Sequence, residues 1–176
     1  MPPDSAPHGP SRRLPMLLLL LAAAFLVARI ATGVWEHESP PAAGDLVHWQ
    51  APAAGEADAR RTQKPVLYEF SAEWCGPCKV MAAEVFADAR SAQTINTLFV
   101  PVHVVDRERE DGHNTPEVQS LLEHFSVEAF PTLVVYAPDT RRHESIRGYA
   151  GRAAVMADLT QALLKVRTGG GEPDSL

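Results

Sequence analysis

The sequence predicts an α/β fold, a mixed sheet flanked by helices, with an N-terminal transmembrane helix in front of it. From residue 46 to residue 166, short apolar runs of strand length alternate with segments whose apolar residues recur at helical spacing. Two strand candidates follow each other near the end of this region, which indicates a mixed edge. A separate apolar run covers residues 14–35. The length of 176 residues and a hydrophobic content of 45% fit one globular domain and a short additional segment.

The apolar run at residues 14–35 is a candidate membrane anchor. Every residue from Leu14 to Ala28 is apolar. At a rise of about 1.5 Å per residue, the helix that continues to Trp35 approaches the thickness of the hydrocarbon core of a bilayer. Arg12-Arg13 precede the run and Glu36 follows it. The positive-inside rule therefore predicts that residues 1–13 are a cytoplasmic tail and that the chain beyond Trp35 lies outside.

A cleaved signal peptide is the alternative for this region, because a basic start and an apolar core are typical of both. The small-residue pair that fits a cleavage site, Ala22 and Ala24, falls inside the apolar run. This position favours an uncleaved anchor. We therefore expect a single-pass protein of the cell inner membrane, in contact with the lipid bilayer through residues 14–35 and with its folded domain in the periplasm.

Residues 36–45 are predicted to be a linker, 46–168 the folded domain, and 169–176 a disordered tail. Pro101 indicates that its strand is an edge strand or contains a bulge. The strands are predicted at Leu46–Trp49, Val66–Ser71, Leu98–Val105, Thr132–Ala137 and Glu144–Tyr149, and the helices at Ala53–Gln63, from Cys75 to Phe86, from Asn114 to Phe125 and from Val155 to Val166.

Charge and cysteine content exclude several classes of protein. The net charge is −6 and the two signs are interspersed, so no nucleic acid partner is expected. A structural zinc site needs four ligands, but the chain has two cysteines and no histidine at a usual spacing. A c-type haem would need His after the second cysteine, where Lys79 stands. We therefore expect neither a metal nor a cofactor.

Cys75 and Cys78 are the candidate catalytic residues, and they lie where a strand gives way to a helix. The backbone N–H groups of a helix start favour an anion, so the pKa of the Cys75 thiol is expected to be lowered. Side chains three apart on a first turn lie close to disulfide distance. Cys75, expected to be the more exposed, would attack a substrate disulfide, and Cys78 would resolve the mixed disulfide. A purely structural disulfide is the alternative, although so small a loop yields little stabilisation.

The stretch EFSAEWCGPCK resembles the active-site segment of thioredoxins, and Phe130-Pro131-Thr132 before an apolar strand resembles the second hallmark of that family. The resemblance implies a thioredoxin-like fold in which Pro131 is cis and lies opposite the cysteines. It also implies a substrate groove formed by Trp74, Gly76, Pro77, Phe130 and Pro131. Here Gly76 would let a substrate backbone approach, and Pro77 would stiffen the loop.

Glu69 matches the buried acid of the thioredoxin family, in which aspartate is common. The resemblance implies that Glu69 is a third catalytic residue, which accepts or relays the proton of Cys78, because a buried carboxylate can act as a base near neutral pH. A charge that snorkels from a strand edge is the alternative. The lysine partner of the family's acid has no clear counterpart, and His103 is the candidate substitute.

The wider pattern over about residues 46–166 is similar to the C-terminal thioredoxin-like domain of transmembrane thiol-disulfide interchange proteins. These relatives carry electrons to disulfide-handling proteins outside the cytoplasmic membrane. The resemblance implies a thiol-disulfide oxidoreductase that reduces the disulfides of exported proteins and is itself reduced by a membrane or periplasmic thiol reductant. A disulfide oxidase or isomerase is one alternative, and a thioredoxin-fold binding or assembly module is another. The charged run Asp106–Asp111 is interpreted as a surface loop that could contact a partner.

Overall fold

A computed structural model of the protein describes residues 22–24 and 44–169, together with the backbone of residues 172–173. The chain divides into two units, residues 1–39 and 40–176. In the first unit, residues 22–24 are helical. The rest of the predicted anchor at 14–35, the predicted tail at 1–13 and most of the predicted linker lie outside the described residues. No helix among the described residues combines the length and the apolar character that crossing a membrane requires.

The second unit is built on a five-stranded mixed sheet with the strand order β2-β1-β3-β4-β5. β1 pairs in parallel with β2 and antiparallel with β3, and β4 is antiparallel to both β3 and β5. The predicted mixed sheet is confirmed, and β2, which contains Pro101, is an edge strand as predicted. The strands are β1 Val66–Ala72, β2 Val100–Asp106, β3 Thr132–Ala137, β4 Arg142–Arg147 and β5 Glu172–Pro173.

Several helices begin at a proline or at a capping side chain. Asp88 caps α3 by accepting the Ser91 backbone N–H, and Thr115 caps α5 by accepting the Val118 N–H. The α3 helix was not predicted as a separate element. The helices are α1 Pro52–Thr62, α2 Gly76–Met81, α3 Ala89–Leu98, α4 Glu108–Asp111, α5 Pro116–His124 and α6 Arg152–Thr168, and a π-helical turn, Ala82–Phe86, continues α2.

The alternation of side chains along β1 divides the core into two layers. Tyr68 and its neighbours on the same face pack with residues of α1 and α5. Leu67 faces the opposite layer, where it packs with Met81 of α2 and with residues of α3 and α6. Glu69 is two residues beyond Leu67 and therefore faces the same layer. The Glu69 side chain therefore lies on the side of the sheet that α2 covers.

Two predictions about the start of the domain are wrong. Residues 46–49 do not form a strand; the segment instead makes a single bridge, between Gln50 and Val102 on the outer edge of β2. α1 begins at Pro52, which stops the ladder after Ala51. Before Gln50, the backbone N–H groups of Val47 and His48 donate to the side chains of Asp45 and Asn96 instead of to a strand. Asp45, assigned to the linker, belongs to the domain, because its carboxylate accepts the Trp49 Nε1–H at 2.6 Å.

The predicted disordered tail is also corrected in part. Glu172 and Pro173 form β5, which pairs with His143 and Arg142 of β4. Without this short strand, β4 would present an unpaired edge of backbone N–H and C=O groups.

Candidate active site

The two cysteines lie at the junction between the end of β1 and the start of α2. Cys75 is the N-cap residue of α2 and Cys78 lies in its first turn. They form a disulfide with a Cα–Cα distance of 5.3 Å. The Cys75 N–H donates to the carbonyl of Ala72, the last residue of β1, at 3.0 Å. Pro77 occupies the first helical turn, where its missing N–H costs no hydrogen bond. The local pairing of the two cysteines is confirmed.

The helix start provides a backbone donor to the sulfur of Cys75. Its Sγ accepts the Cys78 N–H at 3.2 Å. The N–H groups of a first helical turn have no partner inside the helix, and they favour negative charge. This environment suits a thiolate at Cys75 once the disulfide is reduced.

Both cysteines are buried in the disulfide form. Cys75 is 2% exposed and Cys78 is 6% exposed, so the expectation that Cys75 is the more exposed is wrong for this state. Ala72 and Phe130 pack against the pair and cover it. What faces solvent is the loop beside the sulfurs, where Gly76 and Pro77 are exposed.

Aromatic side chains and the Phe130–Pro131 loop form a shallow surface next to the cysteines. The Phe130–Pro131 bond is cis, as the resemblance implied. The Phe130 ring meets the Trp74 ring edge to face at 5.9 Å, and Trp74 remains 47% exposed. The Gly148 N–H donates to the Pro131 carbonyl at 2.8 Å and anchors the loop. The structure therefore gathers Trp74 and Phe130 beside the cysteines, where the sequence placed the groove.

Glu69 is buried in β1 and has a specific partner. It is 3% exposed, and its Oε2 lies 2.8 Å from His103 Nε2. The two residues are direct neighbours in the parallel register of β1 and β2. Ser71 Oγ lies 2.8 Å from the same ring nitrogen. The alternative of a charge snorkelling at a strand edge does not hold, and His103 does take the position of partner to the acid.

The surroundings of His103 favour its charged form. Burial alone would lower the pKa of His103, but the hydrogen bond and the negative charge of Glu69, with a contribution from Asp45, outweigh it and raise the pKa above its ordinary value. The Trp49 ring lies 5.5 Å from the His103 ring, and Asp45 holds the Trp49 indole. The sequence did not indicate Asp45, Trp49 or Ser71 as neighbours of the acid, because they become neighbours only through the pairing of β1 with β2 and the bridge at Gln50.

A charged segment forms the other side of the cysteine motif. Arg107 bonds Glu73 at 2.7 Å and Asp111 at 2.6 Å. The guanidinium of Arg109 lies 5.5 Å above the centre of the Trp74 ring. Sequence reasoning treated Asp106–Asp111 as a surface loop and missed these contacts. The available signal was the position of the run directly after a strand that was expected to lie in the sheet with Val66–Ser71.

The buried redox pair lies beneath an exposed loop that includes Trp74, Gly76 and Pro77. A cleft of about 500 Å³ is present on the opposite layer of the sheet, lined by residues that include Tyr68, Phe125 and Tyr136. None of its lining residues belongs to the cysteine motif. This cleft is therefore separate from the surface formed by the exposed loop and the Trp74 ring.

A disulfide at the start of a helix, beside a cis-proline loop and a buried carboxylate on a mixed sheet, defines a thiol-disulfide oxidoreductase. The family model for the thioredoxin-like domain matches residues 54–164, and the chain belongs to this family.

Comparison with individual proteins agrees with this assignment. The chain is 32% identical over 111 residues to a thioredoxin of Mycobacterium tuberculosis, covering 63% of this chain and 84% of that protein. It is 28% identical over 157 residues to the thiol:disulfide interchange protein DsbD of Salmonella paratyphi A, covering 81% of this chain but only 25% of DsbD. The crystal structure of the oxidised C-terminal domain of DsbD from Neisseria meningitidis superposes with a TM-score of 0.52 at 27% identity, over 62% of this chain and 90% of that domain.

Proposed function

We propose that the protein is a membrane-anchored, extracytoplasmic reductase of disulfides in exported proteins. The observation on which this rests is the helix-start position of Cys75, whose sulfur accepts a backbone N–H at 3.2 Å beside the exposed Trp74. Similarity to the C-terminal domain of DsbD supports a role in disulfide interchange. The apolar run at residues 14–35, preceded by Arg12-Arg13, supports an anchor with the domain in the periplasm.

In the proposed reaction, the reduced protein transfers two electrons to a substrate disulfide. The Cys75 thiolate attacks one sulfur of the substrate, forms a mixed disulfide and releases the other sulfur as a thiolate, which takes up a proton from solvent. Cys78 then loses its proton, attacks the Cys75 sulfur and releases the second substrate thiol. The Cys75–Cys78 disulfide is the oxidised product, and a membrane or periplasmic dithiol must reduce it before the next cycle.

We infer that Glu69 receives the proton of Cys78. Its carboxylate faces the layer of the sheet that α2 covers, and it is buried away from bulk water. A base there would activate the second thiol at the moment of attack. His103 bonds the same carboxylate and is itself partly exposed, so it offers a path by which this proton leaves toward solvent.

Substrate trapping tests the reductase. Cys78→Ala should accumulate mixed disulfides through Cys75 when the full-length protein is expressed in membranes, and mass spectrometry of the trapped species would identify the substrates. The matched control is Cys75→Ala, which retains one thiol but lacks the attacking one. If Cys78→Ala traps no more protein than the control, the chain acts as a binding module instead.

The direction of electron flow is tested by equilibrium with glutathione. We expect a reduction potential near that of a reducing thioredoxin, roughly −270 mV. A potential above about −180 mV would make the protein an oxidase or isomerase.

The position of the domain is tested by protease accessibility in spheroplasts, where digestion of the intact anchored chain from outside is the expected result. Protection of the domain would refute the periplasmic assignment.

Glu69→Gln separates the two chemical steps. This change keeps a hydrogen-bonding group but removes the base, so mixed-disulfide formation should proceed at the normal rate while its resolution slows by up to about a hundredfold. Rapid acid quenching of a single turnover would measure both steps. Glu73→Gln is the control, since Glu73 is an exposed carboxylate near the same motif. Equal resolution rates in both variants would remove Glu69 from the proposed mechanism.

A further inference from the structure

The charged segment Asp106–Asn114 is held beside the cysteine motif by several contacts. β2 runs parallel to β1, and Asp106 is the register partner of Ala72 at the end that leads into the motif. Asn114 closes the segment on itself, since its side chain accepts the Arg107 N–H at 2.7 Å. Arg107 then joins the segment to Glu73 through the ion pair at 2.7 Å. The segment is therefore a fixed wall of the site.

Arg109 is the residue of this wall that touches the substrate groove. Its guanidinium lies over the ring of Trp74. The Trp74 ring also contacts the Phe130 ring. A guanidinium held over an aromatic face by a cation–π contact still has N–H donors free to bind a carboxylate with two hydrogen bonds. This contact also reduces the side-chain freedom that Arg109 would lose on binding.

Among the arginines of the wall, Arg109 is the one whose charge is available to bind a substrate carboxylate. Arg107 is neutralised by two carboxylates, those of Glu73 and Asp111. Within residues 44–169, no carboxylate lies at ion-pair distance from Arg109, which contacts the Trp74 ring instead. Successive residues of a helix turn by about 100°, so Glu108 and Glu110 project to either side of the direction in which Arg109 points.

We propose that Arg109 selects polypeptide substrates that carry a carboxylate next to their disulfide. The inference rests on the proposed reductase function and names the substrate class of the same site. An acidic side chain beside the substrate cysteine would bind the guanidinium at the edge of Trp74 while the substrate sulfur approaches Cys75. Arg109 is thus a specificity-determining residue that takes no part in the exchange of sulfur bonds.

The test uses two synthetic peptides with one internal disulfide each, identical except for Glu or Lys on both sides of the first cysteine. Full-length protein, reduced beforehand and freed of reductant, is mixed with each peptide, and the rate of peptide reduction in a single turnover is measured. The rate of each peptide with dithiothreitol alone corrects for its intrinsic reactivity. We expect the protein to prefer the acidic peptide by about threefold to fivefold, a ratio that falls toward one at high salt.

Variants of Arg109 distinguish charge selection from a packing role. Arg109→Glu should invert the ratio, Arg109→Gln should bring it close to one, and Arg109→Lys should retain part of the preference. Arg167→Glu is the control, because Arg167 is exposed in the last turn of α6, by the β3–β4 turn at the opposite end of the sheet. The ratio of the two peptide reduction rates does not depend on the fraction of folded protein. A partly destabilised variant therefore still shows whether the preference has changed.

The outcomes separate the two proposals. Reduction of both peptides with a ratio that is the same in wild type, Arg109→Glu and Arg109→Gln would overturn the selection by Arg109 and leave the reductase intact. A preference of the wild type for the basic peptide would overturn it as well. Failure of the reduced wild-type protein to reduce either peptide would overturn the reductase, and with it the inference.

Discussion

The contact between Glu69 and His103 predicts a measurable dependence of stability on pH. Glu69 is buried and His103 is 26% exposed, with 2.8 Å between Oε2 and Nε2. Replacing His103 by Leu removes the partner of a buried carboxylate and leaves that carboxylate with unsatisfied acceptors. A lost partner of this kind costs about 1–3 kcal/mol. Because water can reach part of the His103 position, we expect about 2 kcal/mol, measured by urea unfolding of the oxidised full-length protein at pH 6.

The sign of the pH effect follows from the raised pKa of His103. A histidine whose pKa is higher in the folded than in the unfolded protein binds its proton more tightly when folded. Its contribution to the free energy of unfolding is complete below the ordinary histidine pKa of about 6.5, and it is lost as the pH rises through the raised folded value. The wild-type protein should therefore lose stability as the pH rises above about 6.5 and through the raised pKa of His103.

Two variants make this prediction specific. His103→Gln keeps a neutral donor for Glu69, so it should recover part of the stability lost in His103→Leu while lacking the decline above pH 6.5 that protonated histidine causes. His113→Gln is the control, since His113 is an exposed histidine of the segment after α4. If His103→Gln shows the same decline as His113→Gln, the ion pair does not contribute and the reasoning is refuted.

Three further changes test the fold. Gly55→Ala would place a Cβ 2.2 Å from Val102 Cγ2 at the contact of α1 with β2, so overpacking should lower the unfolding free energy by about 1–3 kcal/mol in urea titration. Asp88→Asn should be less stable than wild type near pH 7 and equal to it in strong acid, because the Ser91 hydrogen bonds lower the pKa of Asp88 and that stability is lost as the pH falls through the lowered value; equal thermal midpoints at pH 7 would contradict this. Thr115→Ala removes the N-cap of α5 and should cost about 1 kcal/mol, whereas Thr115→Ser should cost little.

Much of the fold could be predicted because its signals are local. The apolar runs that became β1 and β3 contain few polar residues, and Pro116 at a helix start marks α5. The cysteine pair was also local, since a strand, two cysteines and a proline in succession determine where the sulfurs lie. Boundaries were less accurate where one element leads directly into another, as at Phe86, where the predicted helix ends and Asp88 starts a new one.

What could not be predicted depends on contacts between distant parts of the chain. Glu69 and His103 meet because β1 and β2 pair in one particular register, and a change of register by one residue would separate them. Arg109 reaches Trp74 for a similar reason, since both follow the same end of neighbouring strands. The burial of Cys75 depends on Phe130, which lies far along the sequence. The resemblance to thioredoxins named His103 as a candidate partner of Glu69, and the charged run follows a strand, but the linear pattern does not specify the contacts themselves.

The bridge at Gln50 has a practical consequence for where the domain can be cut. Gln50 donates to the Pro101 carbonyl at 3.0 Å and so closes the outer side of β2, while Asp45 keeps Trp49 against His103. A fragment that starts at residue 54, where the family match begins, would omit Asp45, Trp49 and Gln50. It would expose the hydrogen-bonding groups of an edge strand to other molecules, which promotes aggregation. Soluble versions for biochemistry should therefore retain the chain from Gly44 onward.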